Sequence, residues 1–152
     1  MNIRNRSYSL AAQVDIPDGG AEGVLFAHGS RFGGHTLYVK DNRLHYAYNF
    51  VGSFEQKVDA TEDLPSGTDL ILSASFAKDG EDPPGVSTGI LSLYQGDRTV
   101  GEARIKSQPG KFMIGEEGLC VGRDSGEPVT DDYPAQRHTD SPAEPSNASR
   151  LT

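Results

Sequence analysis

Two alternating segments joined by a two-residue turn constrain this chain more than any other feature. Residues 35–40 are HTLYVK, residues 43–50 are RLHYAYNF, and Asp41-Asn42 lies between them. Asp and Asn tolerate the left-handed backbone of a type I′ turn, and alternation of apolar and polar residues indicates half-buried strands. The turn therefore predicts an antiparallel hairpin. In the register that this turn sets, one face of the hairpin is apolar and consists of Leu37, Val39, Leu44, Tyr46, Tyr48 and Phe50. A more polar face consists of Thr36, Tyr38, Lys40, Arg43, His45 and Asn49.

The rest of the chain repeats this pattern of short alternations separated by turns. A polar loop is predicted at 78–85, where Pro83 and Pro84 are adjacent, and a β-bulge is predicted near Gly101-Glu102. Short strands at regular spacing are typical of two packed sheets. The fold class predicted is therefore all-β, an antiparallel β-sandwich of jelly-roll or concanavalin-like type. The further predicted strands are 7–16, 23–29, 54–58, 69–77, 89–95, 98–105 and 118–122.

The composition changes after Tyr133. Residues 134–152 include three prolines and almost no apolar side chains before Leu151. Such a segment cannot bury enough apolar surface to offset the entropy lost on ordering. We predict a β-sandwich domain over 1–133 and a disordered tail over 134–152.

The charge of the chain argues against two classes of partner. The formal net charge is −8, whereas nucleic-acid binders present basic patches and anionic membranes attract basic segments. We expect neither a nucleic-acid nor a membrane partner. The N-terminus has no apolar signal-peptide region, and no segment is apolar enough to span a bilayer, so the expected location is cytoplasmic.

The histidines do not form a recognisable metal motif. The hairpin register separates His35 from His45 on opposite faces, and His28 is expected to point with Val24 and Phe26 toward the edge of the core. Neither HExxH nor a Cys/His zinc spacing is present. No metal site and no cofactor are therefore predicted.

The sequence offers no catalytic group either. Cys120 lies between Leu119 and Val121, where a cysteine behaves as a small apolar residue. Residues 29–33 lack the spacing of a nucleophile elbow, and adjacent carboxylates point apart in an extended chain. We predict that this chain alone is not an enzyme.

Two polar loops are the candidates for a ligand or interface site. Loops supported by rigid strands commonly carry binding residues, although Asp124 and Ser125 could equally cap a turn. A Ca²⁺ ion held by Asp124, Glu127 or Asp131 would have the oxygen ligands it prefers, but nothing in the pattern requires one. The candidate residues are Arg31, Phe32, Arg123, Asp124, Ser125 and Glu127.

Three segments carry a resemblance to a known family. They are NRSYSLAAQVDIPDGGAEG at 5–23, GVLFAHGSRFGGHTLYVKDNRLHYAYNFVG at 23–52 and GLCVGRDSGEPVTDDY at 118–133. In order and spacing they resemble the region that follows the catalytic domain in bacterial arylsulfatases of the formylglycine type. More loosely, the chain is similar to laminin-G and concanavalin-like sandwiches.

The resemblance implies an accessory role rather than catalysis. The family makes formylglycine from the Cys or Ser of a C/S-x-P-x-R motif, and this sequence contains no such motif. The expected function is therefore a non-catalytic β-sandwich that packs against a sulfatase catalytic domain, or is its truncated remnant. The family's closing strand would follow Tyr133, where this chain has its polar tail, so we expect the last strand to be missing.

The alternative is a free-standing lectin-like module that binds a glycan. Sugar-binding sites commonly present aromatic rings beside polar groups. The outward candidates here are Phe32, Tyr38 and Phe54, and the acidic charge of the chain opposes a sulfated ligand.

Overall fold

The protein is a sandwich of two antiparallel β-sheets, as the sequence predicts. The computed structural model describes residues 6–30, 33–50, 54–107, 119–121, 128–133 and 150–151. Among them there is no helix that is long and apolar enough to cross a membrane. The described strands are β1 (Tyr8–Ile16), β2 (Gly23–Ser30), β3 (Gly33–Lys40), β4 (Arg43–Phe50), β5 (Phe54–Asp59), β6 (Gly67–Glu81), β7 (Ser87–Gln95), β8 (Arg98–Ser107), β9 (Leu119–Val121) and β10 (Arg150–Leu151).

The strands divide into two sheets with simple connections. The first sheet has the order β10-β1-β6-β7-β8, and the second has the order β5-β4-β3-β2-β9. Neighbours in the chain are mostly neighbours in a sheet, because two-residue turns favour antiparallel hairpins. The two sheets therefore have two outer faces, with the interior of the sandwich between them.

The hairpin of β3 and β4 has the predicted turn and register. Asp41 and Asn42 have φ angles of 50° and 58°, as a type I′ turn requires. Lys40 pairs with Arg43 and His35 pairs with Tyr48, which confirms the predicted register.

The inward faces of both sheets form one apolar core. Leu44, Tyr46, Leu91 and Leu93 are each 0% exposed, and they join residues of both sheets in a single cluster. Fully burying a side chain of this size contributes about 1.5–3 kcal/mol. In β1 every second residue from Leu10 to Ile16 is buried, as expected for a half-buried strand.

A bulge in β2 corrects the predicted orientation of Val24. Val24 pairs with Tyr38 and Phe26 pairs with Leu37, so Leu25 is the extra residue between them. Val24 consequently faces outward with Tyr38, whereas Phe26 belongs to the main core. The prediction that Val24 and Phe26 share a face with His28 is therefore wrong for Val24.

The structure also refines the predictions for residues 78–105. Strand β6 continues to Glu81 and pairs with β7, so the predicted loop at 78–85 is shorter than expected and begins after Glu81. In β8 the bulge falls at Val100, one residue before the predicted position. A Cβ at Gly101 would lie 2.6 Å from the carbonyl oxygen of Asp59, which explains a glycine beside the bulge.

The outer face of the second sheet is less exposed than predicted. Thr36 and Tyr38 were expected on a polar face, but they are 0% and 1% exposed. Tyr133 packs against Tyr38, with ring centroids 5.3 Å apart. Segment 128–133 therefore covers part of this face.

Several predictions fall on residues outside the described part of the chain. They include positions 118 and 122, the two ends of a predicted strand, and residues 134–149 of the tail. The predicted disorder of 134–149 and the missing closing strand stay predictions. Arg150 and Leu151 pair with Gln13 and Ala12 as β10.

Candidate functional site

The loop residues predicted as a ligand or interface site lie outside the described residues. This applies to all six of them, namely Arg31, Phe32, Arg123, Asp124, Ser125 and Glu127. Their role stays a prediction. Cys120 lies on β9 with its backbone opposite Ala27.

The outer face of the first sheet carries hydroxyl groups in adjacent rows. Ser75 pairs with Ser9 on one side and with Ser92 on the other, so three serines lie side by side on three strands. In the next row Ser73 pairs with Tyr94, which in turn pairs with Thr99. Residues directly opposite on antiparallel strands project from the same face. We call this surface the hydroxyl face: Ser9, Ser73, Ser75, Ser92, Tyr94 and Thr99.

Except for Tyr94, the side chains of the hydroxyl face are small, and some hydroxyls are hydrogen-bonded to neighbouring side chains. The Oγ of Ser75 lies 3.3 Å from the phenol oxygen of Tyr94. The Oγ of Ser92 donates to Glu102 Oε2 at 3.1 Å. Ser9 and Thr99 are exposed, and Ser73, Ser75 and Tyr94 are partly exposed. Ser92 is only 7% exposed, so the accessible hydroxyls are those of the other five residues, which can both donate and accept hydrogen bonds.

Charged groups lie at the margins of this face rather than in its middle. At one end Arg104 makes two hydrogen bonds of 2.8 Å to Asp79. At the other end Gln13 donates to Asp69 at 2.6 Å. The hydrogen bond from Arg104 is the largest influence on Asp79 and holds the pKa of that carboxyl below its usual range. The centre of the face, at Ser73 and Ser75 on β6, is thus uncharged, and Glu102 lies at its edge on β8, opposite Ser92.

On the outer face of the second sheet, Asp132 links segment 128–133 to the strands beneath it. Its Oδ2 accepts a hydrogen bond from Tyr38, and its Oδ1 lies 3.0 Å from Lys57 Nζ and 3.9 Å from Lys40 Nζ. Partial burial opposes ionisation of Asp132, but the bonds from Tyr38 and Lys57 outweigh it and lower its pKa. Burial and the same carboxylate raise the pKa of Tyr38. Val129 in this segment is 0% exposed, so we interpret the cluster as a clamp that fixes segment 128–133 on the second sheet.

A chain of tyrosines and histidine lies between the sheets. The phenol oxygens of Tyr8 and Tyr46 are 2.5 Å apart, and Tyr46 lies 3.1 Å from Nδ1 of His35. His35 is 0% exposed, and its ring contacts those of Phe26 and Tyr48 at 4.9 and 6.1 Å. Burial holds the pKa of His35 well below its usual value, so the imidazole is neutral.

The histidine prediction is confirmed in one part and incomplete in another. His35 faces the interior, whereas His45 stacks on Tyr38 at 5.3 Å on the outer face and bonds Asp59, so the two are separated as predicted. The sequence reasoning did not bring His28 and His35 together. The structure pairs them directly across β2 and β3. The sequence pattern did not fix how β2 pairs with β3. Knowledge of that register would have shown that the two histidines lie opposite each other.

Two of the predicted outward aromatic residues lie in the described part of the chain. Phe54 is 46% exposed and stacks on Phe50, as expected for an outward ring. Tyr38 is buried under Tyr133, so it cannot offer its face to a ligand. Tyr94, which the sequence reasoning missed, is the ring that lies within the hydroxyl face.

Comparison of the chain with protein-family models and with curated proteins finds no match. The sulfatase resemblance therefore rests on the sequence segments quoted above.

Proposed function

We propose that this chain is a non-catalytic accessory β-sandwich that packs through its hydroxyl face against the catalytic domain of a formylglycine-type arylsulfatase. The observation that supports the partner class is the sequence resemblance. The observation that supports the mode of packing is the uncharged hydroxyl face with charged margins.

Small side chains suit a sheet that another protein approaches closely. At Ser73 and Ser75 no long side chain separates the sheet from its partner, and each hydroxyl can bond a partner carbonyl or amide. Interface centres are depleted in charge, whereas the rims of interfaces stay polar and hydrated. Asp79, Arg104 and Asp69 lie where such a rim is expected.

An activity assay tests the non-catalytic part of the proposal. We expect the purified chain, with or without Ca²⁺, to release no product from a chromogenic aryl sulfate, because it lacks the C/S-x-P-x-R motif. An active full-length arylsulfatase serves as the positive control. Turnover that copurifies with the chain through successive columns would contradict the proposal.

A binding assay tests the surface. The probe is an arylsulfatase catalytic domain from which the C-terminal region has been removed, titrated with this chain by calorimetry. We expect Ser75→Arg to weaken binding by about ten-fold or more, since it places a long cation in an uncharged interface centre. The matched control is Ser66→Arg, which changes an exposed serine in the loop before β6 and should bind as the original chain does. Equal binding by both variants would rule out the hydroxyl face.

The alternative is a module that binds an uncharged glycan on the same face. Tyr94 favours it, because an aromatic ring beside hydroxyl groups can stack on a sugar while the hydroxyls bond it. This alternative predicts binding of neutral oligosaccharides, lost in Tyr94→Ala and retained in Phe54→Ala. Binding of sulfated in preference to neutral glycans would contradict it, because the net charge of −8 repels sulfate.

A further inference from the structure

Two imidazole nitrogens inside the sandwich have no hydrogen-bond partner among the described residues. They are Nδ1 of His28 and Nε2 of His35. A buried polar atom that is left unpaired costs about 1–3 kcal/mol. Two such atoms on adjacent strands call for a ligand that satisfies both.

The two rings are close enough to share one ion. His28 and His35 lie directly opposite each other on β2 and β3, so their side chains leave the same face of the sheet. Their ring centroids are 5.7 Å apart, with an interplanar angle of 70°. With metal–nitrogen bonds of about 2.0 Å, two rings that share an ion have centroids at most about 6.5 Å apart.

The second nitrogen of His35 is held as it is in many metal sites. Metal-binding histidines usually donate their other ring N–H to an oxygen that fixes the tautomer. Here Nδ1 of His35 lies 3.1 Å from the phenol oxygen of Tyr46, which is 2.5 Å from that of Tyr8. With an ion on Nε2, Nδ1–H donates to Tyr46, and Tyr46 donates to Tyr8. Every polar atom of this chain of contacts then has a partner.

The surroundings select a cation of low charge. Each histidine has one buried ring nitrogen without a partner among the described residues, and such a nitrogen can offer its lone pair to an ion. No Asp, Glu or Cys of the described residues joins them to complete a group of three possible ligands. Burying an ion without a compensating carboxylate is expensive, and the Born cost rises with the square of the charge. A monovalent ion is therefore favoured over a divalent one.

We propose that His28 and His35 form a two-imidazole binding site for monovalent copper, Cu(I). Copper is among the metals that imidazole ligands suit. His28 is only partly buried, whereas His35 is enclosed by aromatic rings. The site lies between the sheets and is independent of the hydroxyl face and of the function proposed for it.

An anaerobic Cu(I) titration of the full chain tests the site. A chromophoric Cu(I) chelator competes for the ion, and Cys120→Ser is the starting protein, so that the thiol cannot bind copper. We expect one equivalent of Cu(I) to bind, and His28→Gln to weaken that binding by at least about ten-fold. X-ray absorption of the loaded protein should show nitrogen ligands. His45→Gln is the matched control, because His45 lies on the outer face with Asp59, and it should bind as the starting protein does.

Two results would overturn the proposal. One is the absence of bound Cu(I), and the other is equal affinity in His28→Gln. Because His28 is partly exposed, its replacement should leave the circular dichroism spectrum unchanged, which keeps the comparison valid even if His35→Gln does not fold. Binding of Zn(II) as tight as that of Cu(I) would contradict the charge argument and overturn the assignment of the ion.

Discussion

At Gly89 the backbone of β7 passes very close to β6. A Cβ built on Gly89 would lie 2.1 Å from the carbonyl oxygen of Ala77 and 2.9 Å from Cε2 of Phe76. The first of these atoms belongs to the backbone and cannot turn aside, so an added methyl group must displace a strand. Overpacking of this kind typically destabilises a protein by about 1–3 kcal/mol.

We therefore expect Gly89→Ala to lower the free energy of unfolding by about 1–3 kcal/mol in a urea titration. The matched control is Gly19→Ala, because a Cβ at Gly19 meets nothing within 4 Å. That variant should unfold near the urea concentration of the original chain. If both variants unfold at the same concentration, β7 does not approach β6 as described.

Local patterns made single strands predictable, whereas contacts distant in sequence did not follow from them. The register of β3 and β4 was predictable because the Asp41-Asn42 turn and the apolar pattern agree within sixteen residues, from 35 to 50. The bulge at Leu25 reverses the orientation of Val24 with no change in the pattern of residue types. Tyr38 was placed on a polar face because its cover, Tyr133, lies far along the chain.

The hydroxyl face and the His28–His35 pair were also not predicted from local sequence patterns. Ser73 and Ser75 alternate with buried residues of β6, but the hydroxyl face exists only because β1, β7 and β8 add hydroxyl residues in matching rows. Likewise, the His28–His35 pair depends on the register of β2 with β3. No short segment contains the hydroxyl face, whereas His28 and His35 lie within one eight-residue segment whose pairing the sequence pattern did not fix.

At the scale of elements, the attachment of segment 128–133 depends on the charge of Asp132. Its folded pKa is lowered, so the unfolded chain binds the proton more readily. The stabilisation is present above the ordinary carboxyl pKa of about 3.9 and is lost as the pH falls through the lower, folded value. Acid should therefore release the segment from the second sheet.

We expect the protection of amides 128–133 against hydrogen exchange, taken relative to the intrinsic rate at each pH, to fall below about pH 4, whereas Asp132→Asn should have lost this protection already at neutral pH. Losing a hydrogen bond to a charged group should lower the free energy of unfolding by about 1–3 kcal/mol. Asp63→Asn is the control, because Asp63 pairs with Arg43 at an exposed site away from the segment. Unchanged exchange in Asp132→Asn would show that apolar contacts of Val129 hold the segment without the clamp.

At the scale of the whole molecule, the two sheets depend on one shared core. Leu44 of the second sheet and Leu91 of the first are both 0% exposed and belong to the same cluster. Neither sheet can keep its inner face buried if the other unfolds. We therefore expect a single cooperative unfolding transition rather than two separate ones.

Leu44→Ala and Leu91→Ala should each lower the free energy of unfolding by about 2–5 kcal/mol. Ile71→Ala should have a much smaller effect, because Ile71 is 37% exposed on the outer side of β6. Hydrogen exchange during denaturation provides the decisive measurement: in each leucine variant, amides of β4 and β7 should lose protection at the same urea concentration. If Leu44→Ala exposed β4 while β7 stayed protected, the sheets would be separate folding units, and the second could detach when a partner occupies the hydroxyl face of the first.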